Sequence, residues 1–366
     1  MKVLFLGDIV TGGILPYLEY SPLSEEIIQF LNSFDLRIAT LETAIGDNLA
    51  FDRMKMEGRG NIIYSPIKSA QLLIEMGINV VSLANNHLFD LGVEGFRVTT
   101  QYLKAHNIAF TGAGENIEEA FKPVIIKRDN IKIAIIAACS SNASQVAYVP
   151  IATETKFGVA PLSEDRICEE ITYYKKECDY VIVLPHWGKE YTHFPLKESV
   201  SLSKKMIEAG ADLIIGSHTH TPQPKIRFKG KDIYFSLGNG LFPDFLITTP
   251  RPIWYPNPQT IDLTTIPHTY DYPFPVNSPL YRRWKESSRI GIAVETIITE
   301  NEFKTSSRFT YLDELNALKL KRNRLLRIWL KFIEYFIKSK CYDEGMMLRR
   351  FKRIPYKVVK CLKYNR

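Results

Sequence analysis

Apolar segments that fit buried strands alternate with amphipathic segments that fit helices over residues 1–220. Several of the apolar runs hold few polar residues along their whole length, which is typical of strands covered on both faces. These runs are residues 2–7, 36–41, 79–84, 180–185 and 211–215. Helices are predicted to begin at Ser21-Pro22 and Ser65-Pro66, because proline is favoured in the first helical turn. The alternation predicts an α/β core with a largely parallel sheet.

Further helices are predicted near residues 93–105, 164–176 and 197–209, and hairpins around 124–138 and Gly230. Residues 243–279 contain nine of the chain's twenty prolines, interleaved with aromatic residues. That composition resists regular structure, so we expect an insertion at about 243–288. It is either a packed surface excursion or an aromatic rim for a polymeric substrate. The rim is slightly favoured, since long irregular insertions in compact enzymes often form lids.

The C-terminal part of the chain has a different charge from the rest. Residues 317–366 carry 16 Lys and Arg against 3 Asp and Glu, whereas residues 1–316 carry 31 against 37. We therefore divide the chain into a domain at 1–312 and a basic amphipathic helical tail at 313–366. The apolar residues that fall roughly on one stripe of this tail are Leu315, Leu318, Leu325, Trp329, Phe332, Ile333 and Phe336.

Three kinds of partner fit such a tail. An anionic membrane surface ranks first, because aromatic residues opposite a Lys/Arg face are typical of helices that lie on membranes. A protein partner would need a matching groove and ranks second. Nucleic acid ranks last and is not expected, since no readout element or aromatic platform accompanies the charge.

The composition of the chain indicates the cellular compartment in which we expect it. An apolar content of 45% and a charged content of 24% in 366 residues are those of a soluble globular protein. The five cysteines are scattered and form no Cys-x-x-Cys pair, which indicates reduced thiols. The first eight residues are too short and too soon polar for a signal peptide, and no uncharged run reaches the length of a membrane span. We expect a cytoplasmic protein, with the tail allowing peripheral attachment to the inner face of the membrane.

Each of five predicted strands is followed by a side chain that can bind a metal. These side chains are Asp8, Glu42, Asn86, His186 and His218, and His220 follows two residues later. Ligands of α/β sheets bind beyond the carboxyl ends of the strands. Solvated loop ends could be polar by chance, but carboxylate, amide and imidazole at five strand ends together favour a metal site.

The segments around these positions resemble those of the CapA family, the poly-γ-glutamate capsule synthesis family of the calcineurin-like metallophosphoesterase superfamily. The resemblance covers about residues 2–240 and rests on several motifs in order. They are Gly7-Asp8, Leu41-Glu42-Thr43, Ser82 to His87, Asp90-Leu91-Gly92, Gly112-Ala113-Gly114, His186 to Tyr191, Gly210 to Asp212, Gly216 to His220, and Ser236 to Asn239.

The resemblance implies a four-layer α/β/β/α sandwich of the metallo-dependent phosphatase type, with two divalent metal ions between the sheets. Position by position it implies one metal held by Asp8 and His220, and a second held by Asn86, His186 and His218. Glu42 would bridge the two ions, and His87 would be the catalytic acid or anion-stabilising group. Carboxylate and imidazole ligands suit Mn, Fe or Zn.

Two positions depart from ordinary phosphoesterases. Their first motif reads Asp-x-His, whereas here Asp8 is followed by Ile9 and Val10; their bridging Asp is Glu42. CapA-type sequences share both features, so the departures do not weaken the family resemblance. They do weaken the expectation of phosphatase activity.

Three further residues are candidates for substrate binding. Trp187 would stack on substrate or close the core behind the ligand loop. Glu190 would be a partner of a liganding histidine or a solvated carboxylate. Asn239 would line the pocket or cap a turn.

The sequence leaves two functions open. The first is hydrolysis of a cell-envelope polymer or its activated precursor, with a metal-bound water as nucleophile. The second is a non-catalytic assembly factor that binds an anionic capsule polymer such as polyglutamate. His87 favours the enzyme, because a pure binding protein needs no acid over the metals.

Overall fold

A computed structural model describes residues 1–47, 62–140, 149–247, 265–271, 278–338 and 342–351. Half of the predicted insertion and the end of the predicted tail lie outside the described residues. In the described part the helices are α1 (Glu25–Asn32), α2 (Ile67–Glu75), α3 (Gly92–Ala105), α4 (Ile117–Phe121), α5 (Glu164–Glu177), α6 (Lys197–Ala209), α7 (Arg324–Ile337) and α8 (Glu344–Phe351).

The strands follow the predicted runs closely. In chain order they are β1 (Lys2–Ile9), β2 (Leu36–Leu41), β3 (Ala44–Ile45), β4 (Tyr64–Ser65), β5 (Val80–Ser82), β6 (Ala109–Thr111), β7 (Ala113–Gly114), β8 (Val124–Arg128), β9 (Ile131–Cys139), β10 (Gly158–Val159), β11 (Tyr180–His186), β12 (Leu213–Ile215), β13 (Lys225–Phe228), β14 (Lys231–Tyr234), β15 (Asn239–Leu241), β16 (Phe245–Ile247), β17 (His268–Thr269), β18 (Leu280–Arg282), β19 (Ile290–Ile298), β20 (Phe303–Leu312) and β21 (Leu318–Lys321).

Two large sheets form the centre of the fold. The first has the order β21-β20-β19-β1-β2-β5-β6, with β15 also paired to β1, and the second has the order β13-β14-β12-β11-β9-β8. Pairing is parallel from β1 through β2 and β5 to β6, and from β9 through β11 and β12 to β14. The parallel strands therefore end at a common edge in each sheet, as the sequence pattern predicts.

The sheets face each other over one apolar core that takes residues from both. A hydrogen bond of 3.0 Å between the hydroxyls of Tyr234 and Thr305 also joins β14 to β20. Helices α1 and α3 pack against the first sheet, and α5, beside α6, packs against the second. The mixed α/β sandwich of four layers, α/β/β/α, is confirmed.

The first helix begins later than the sequence predicts. It starts at Glu25, because the hydroxyl of Ser24 accepts a hydrogen bond from the backbone N–H of Ile27 at 3.3 Å and caps the helix. The second helix begins at Ile67, directly after Pro66. A serine that can cap a helix therefore overrides the earlier Ser-Pro signal in the first case.

The predicted helix from Asp313 is wrong at its start. Residues Leu318–Lys321 form the edge strand β21, in which Leu318 lies opposite Leu312 of β20. The helix begins only at Arg324, where Asn323 Oδ1 accepts from the backbone N–H of Leu326 at 2.9 Å. Tertiary pairing with β20 decides the conformation of this segment over its local helical pattern.

The apolar stripe of α7 packs inside the protein. The buried residues of this helix are Leu326, Trp329, Leu330, Ile333 and Ile337. The ring of Trp329 meets that of Phe194 edge to face at 5.9 Å. These side chains are part of the main core and do not face a lipid surface. The prediction that the whole stripe lies on a membrane is wrong for Trp329 and Ile333. Among the described residues, no helix combines the length and apolarity needed to cross a bilayer.

The described part of the predicted insertion is more regular than its composition indicates. Strands β16, β18 and β17 form a small sheet. Its core is a second apolar cluster of Val10, Ile14, Ile63, Phe242, Phe245, Leu246 and Trp284. A buried ion pair between Asp244 and Arg289 joins this sheet to the start of β19. The expectation that the insertion resists regular structure is therefore wrong for the residues of these three short strands.

Candidate metal centre

The predicted ligands meet where the carboxyl ends of strands from both sheets come together. Asp8 lies near the end of β1, Glu42 directly follows β2, and His186 is the last residue of β11. Asn86 follows β5, and His218 and His220 follow β12. All six side chains are buried. The structure therefore brings together residues up to 212 positions apart in the sequence.

One group of donors surrounds His186. Its Nε2 lies 2.8 Å from Asn86 Oδ1 and 3.1 Å from His218 Nδ1. Glu42 Oε1 lies 3.4 Å from the same nitrogen. On the other side of the ring, Ser217 Oγ lies 2.9 Å from His186 Nδ1 and donates to the carbonyl of Pro185 at 3.5 Å. Ser217 therefore accepts from Nδ1–H and leaves Nε2 with a free lone pair.

A second group of donors surrounds His220. Its Nδ1 lies 3.9 Å from Asp8 Oδ2 and 3.7 Å from Glu42 Oε2. Asn239 Oδ1 is nearer still, at 3.0 Å. Because one oxygen of Glu42 faces each group, this carboxylate stands between them. That position agrees with the bridging role that the sequence resemblance implies.

Backbone strain accompanies the two histidines of the Gly-Ser-His-Thr-His segment. His218 has φ of 90° and His220 has φ of 51°, which is the left-handed region that residues with a Cβ seldom adopt. Gly216 permits the approach of this segment, because a Cβ there would lie 2.6 Å from the indole nitrogen of Trp187 and 2.0 Å from the carbonyl oxygen of Phe235. Strain of this kind persists where the surroundings hold it, often at functional sites.

Burial dominates the electrostatics of the centre. It raises the pKa of Asp8 to about 8, although the backbone N–H of His218 donates to this carboxylate at 3.0 Å and lowers the pKa. Burial also lowers the pKa of His218 to about 3 and holds the pKa of His186 and His220 well below the usual range. The three imidazoles are therefore neutral at physiological pH, which is the state in which a histidine can bind a metal ion.

The donor set fits divalent cations. Asp8 Oδ1 is buried and accepts no hydrogen bond from any residue that the structure describes. Nε2 of His186 and Nδ1 of His218 face each other, and a neutral pair of acceptor nitrogens is stabilised by a cation between them. Two sets of three donors meet the spacing of metal ligands: Glu42, His186 and His218, and Asp8, Glu42 and His220. Carboxylate, amide and imidazole donors suit Mn, Fe or Zn.

His87 is held beside the centre by Asp90. The two side chains are buried, and His87 Nδ1 lies 2.8 Å from Asp90 Oδ2. The backbone N–H of His87 also donates to Asn85 Oδ1 at 2.9 Å, and Asn85 Nδ2 donates to the carbonyl of Leu41 at 2.8 Å. In the sequence, Asp90 stands out only as part of the Asp90-Leu91-Gly92 motif. The three-residue spacing from His87 was the available signal for the pair.

The three candidate substrate residues have different surroundings. Trp187 is buried, and its Nε1 donates to the backbone carbonyl of Phe235 at 2.9 Å. Its ring also stacks on the ring of Phe235, so Trp187 closes the core behind the ligand loop. Glu190 is half-buried in the same loop, and its role stays a prediction. Asn239 lies within the centre, beside His220.

Sequence reasoning missed Arg282 and Trp284. The guanidinium of Arg282 lies 3.9 Å from the centre of the Trp284 ring, and that ring lies 5.2 Å from the ring of His220. Both residues are buried. They belong to the described part of the insertion, where the only signal was its richness in aromatic residues.

Comparison with known proteins agrees with this site. Residues 2–244, which contain every predicted metal ligand, match the family described as bacterial capsule synthesis protein PGA_cap. The chain belongs to the PGA_cap family. The family resemblance read from the motifs is thereby confirmed.

Curated relatives of this PGA_cap chain include two CapA proteins. It is 27% identical over 240 residues to the PGA biosynthesis protein CapA of Bacillus subtilis (strain 168), covering 65% of this chain and 62% of the relative. It is 32% identical over 172 residues to the capsule biosynthesis protein CapA of Bacillus anthracis, covering 46% of this chain and 41% of the relative. The match thus spans less than two thirds of each relative's length.

Solved structures with a similar fold are more distant. A hypothetical protein from Thermus thermophilus has a TM-score of 0.45 and 16% identity, covering 84% of this chain and 98% of the other. A novel phosphatase of Mycoplasma pneumoniae has a TM-score of 0.43 and 15% identity, covering 84% and 92%. Similarity at this level carries no information about activity.

Proposed function

We propose that this PGA_cap protein is a metal-dependent hydrolase that acts on an anionic cell-envelope polymer or its activated precursor. The reaction would serve the biosynthesis of a capsule, of poly-γ-glutamate or of an exopolysaccharide. The observation that carries the proposal is the pair of buried donor groups joined by Glu42, with His87 fixed beside them by Asp90. A structural core has no need of six buried metal-binding side chains at the ends of strands.

In this proposal the two donor groups hold two divalent cations. Asp8 and His220 would hold one, Asn86, His186 and His218 would hold the other, and Glu42 would contact both. Bound there, the cations would supply an activated water and would stabilise the negative charge that develops at the scissile phosphoester or amide. The low pKa values of the histidines keep their nitrogens available for this task.

The residues of the chain supply the remaining chemistry. Asp90 accepts a hydrogen bond from His87 Nδ1 and so directs the other ring nitrogen, Nε2, to the substrate. His87 then donates a proton to the leaving group or binds the negative charge that develops there. Arg282 adds positive charge near His220, as one of the groups that lower the pKa of that histidine. This positive charge would attract an anionic substrate.

The second candidate is a non-catalytic assembly factor. The same metal-lined pocket would then bind polyglutamate or another anionic polymer, as the names of the CapA relatives suggest for their pathway. The His87–Asp90 pair favours the enzyme, since binding alone requires no positioned proton donor.

Loading the purified chain with Mn²⁺ and measuring hydrolysis of a phosphodiester panel and of poly-γ-glutamate tests the proposal. We expect turnover that is lost in His218→Ala and retained in His106→Ala, which removes an exposed histidine outside the centre. Metal-loaded protein that binds poly-γ-glutamate without cleaving any substrate would favour the assembly factor instead.

We also propose that the basic C-terminal region holds the protein on the inner face of the membrane, as a peripheral cytoplasmic protein. Although one stripe of α7 is buried, a second row remains exposed, formed by Leu325, Ile328, Phe332 and Tyr335. Residues three to four apart share one helix face, and exposed Arg324 and Lys331 adjoin this row. Apolar side chains beside basic ones match an anionic lipid surface.

A further inference from the structure

We propose that Asn239 is itself a metal ligand, whose amide oxygen completes the Asp8 and His220 side of the centre. This assignment rests on the metal centre of the proposed function and goes beyond it. It replaces the expected role of Asn239 in binding substrate.

The position of Asn239 is set by strand pairing. Strands β1 and β15 run parallel, and Asp8 lies opposite Asn239 in their register. Neighbouring residues in register direct their side chains to the same face of a sheet. The carboxylate of Asp8 and the amide of Asn239 therefore reach the same space, although 231 positions separate them.

Two glycines allow the strands to approach so closely. The backbone N–H of Asp8 donates to the carbonyl of Gly238 at 3.0 Å. A Cβ on Gly7 would lie 1.8 Å from that same carbonyl oxygen, and Gly238 has φ of 68°. The glycines of Gly7-Asp8 and Gly238-Asn239 therefore allow the close approach of β1 and β15 at this point.

The orientation of the Asn239 amide follows from its hydrogen bonds. Nδ2 donates to the carbonyl of Ser288 at 2.8 Å, and a carbonyl can only accept. The amide oxygen must then face His220, where Oδ1 lies 3.0 Å from Nδ1. The assignment of oxygen and nitrogen is therefore decided by the hydrogen-bond partners.

Nδ1 is the nitrogen of His220 that faces the carboxylates of Asp8 and Glu42. When it binds a cation it carries no proton, so it can no longer donate a hydrogen bond to Asn239. The amide oxygen would then be a buried acceptor without a donor, which is unfavourable. Coordination of the same cation by Oδ1 removes this cost.

The distance also fits. Two donors that each lie about 2.1 Å from one ion at roughly a right angle are about 3.0 Å apart. On the other side of the centre, Asn86 Oδ1 lies 2.8 Å from His186 Nε2 in the same relation of amide oxygen to imidazole nitrogen. Asn239 thus corresponds to Asn86. Val10, where the Asp-x-His motif has its imidazole, is buried in the second apolar cluster and supplies no ligand.

The test compares Asn239→Ala and Asn239→Asp with the wild-type chain, using Mn²⁺ content measured during a chelator titration. Alanine removes the oxygen donor, whereas aspartate keeps an oxygen at the same position. We expect Asn239→Ala to lose one equivalent of Mn²⁺ at a chelator concentration at least about tenfold lower, while the second equivalent stays. We expect Asn239→Asp to keep both. Thermal unfolding of each variant confirms that it is folded.

If Asn239→Ala retains both ions as well as the wild-type chain does, the assignment is overturned. Asn239 would then be only a hydrogen-bonding partner of His220. Equal losses in Asn239→Ala and Asn239→Asp would overturn it too, because a role through the amide group would explain that result. Metal content is measured without a substrate. A chain that binds two ions but hydrolyses nothing would therefore refute the proposed hydrolase while leaving the assignment of Asn239 intact.

Discussion

The imidazole of His87 lies 2.8 Å from the carboxylate of Asp90, and both side chains are buried beside the candidate metal centre. Asp90 is also fixed, since it accepts from the backbone N–H of Ile63. A histidine oriented in this way is suited to donate a proton to a leaving group.

Removing this imidazole should separate catalysis from metal binding. We expect His87→Ala to keep the wild-type metal content and to lose turnover by about 10²-fold or more, the effect of a lost general acid. Metal analysis and steady-state kinetics of the same preparation measure both. Metal loss equal to that of His218→Ala would show that His87 is a ligand instead.

Asp90 should act through His87. In Asp90→Asn the amide still accepts from Ile63 but binds the imidazole less strongly, because the charge is lost. We expect kcat to fall between about 10- and 100-fold with KM and metal content unchanged. An unchanged kcat would mean that the pair has only a structural role.

The metal-free protein should lose stability as the pH rises. The folded-state pKa of Asp8, about 8, lies above its ordinary value of 3.8, so the stability that neutral Asp8 contributes is lost as the pH rises towards 8. Between about pH 7.5 and 8.5 the histidines of the centre are largely neutral in both the folded and the unfolded state, so the ionisation of Asp8 dominates the change in stability. We expect Tm of the metal-free chain to fall over this window, and Asp8→Asn to abolish that fall. An equal slope of Tm against pH in the wild-type chain and in Asp8→Asn would contradict the raised pKa of Asp8.

The two metal positions should differ in affinity. Two imidazoles, His186 and His218, serve one position, and only His220 serves the other. Imidazole is a strong neutral donor, so we expect mild chelation to empty the Asp8 and His220 position first. Measuring bound metal by equivalents in wild type, His186→Ala and His220→Ala assigns each step. Simultaneous loss of both ions, or the reverse order, would show that the count of imidazoles does not control affinity.

Membrane attachment should depend on the exposed row of α7. The full chain should co-sediment with phosphatidylglycerol-containing vesicles at low salt, with an attraction of about 1 kcal/mol per basic residue at the surface. Ile328→Glu combined with Phe332→Glu should weaken this binding, because two charges replace exposed apolar side chains. Tyr173→Glu, an exposed position on α5, is the control. Binding that is equal in all variants would place the contact elsewhere.

Local patterns in the sequence determined most of the secondary structure. The apolar runs at 36–41 and 180–185 became β2 and β11 nearly unchanged, because a strand buried on both faces needs apolar side chains along its whole length. The six candidate metal ligands could be predicted for a related reason. The carboxyl ends of parallel strands share one edge, so polar residues after several strands indicate one site.

Only the tertiary structure decided the contacts between distant segments. Residues 318–321 joined β20 as a strand despite their helical pattern, and Trp329 entered the core instead of facing a membrane. The register that sets Asn239 opposite Asp8 depends on which strands become neighbours. The packing of the whole core determines which strands become neighbours, and no short segment of the sequence contains that information. The periodicity of apolar residues, in contrast, is a local property that the sequence itself carries.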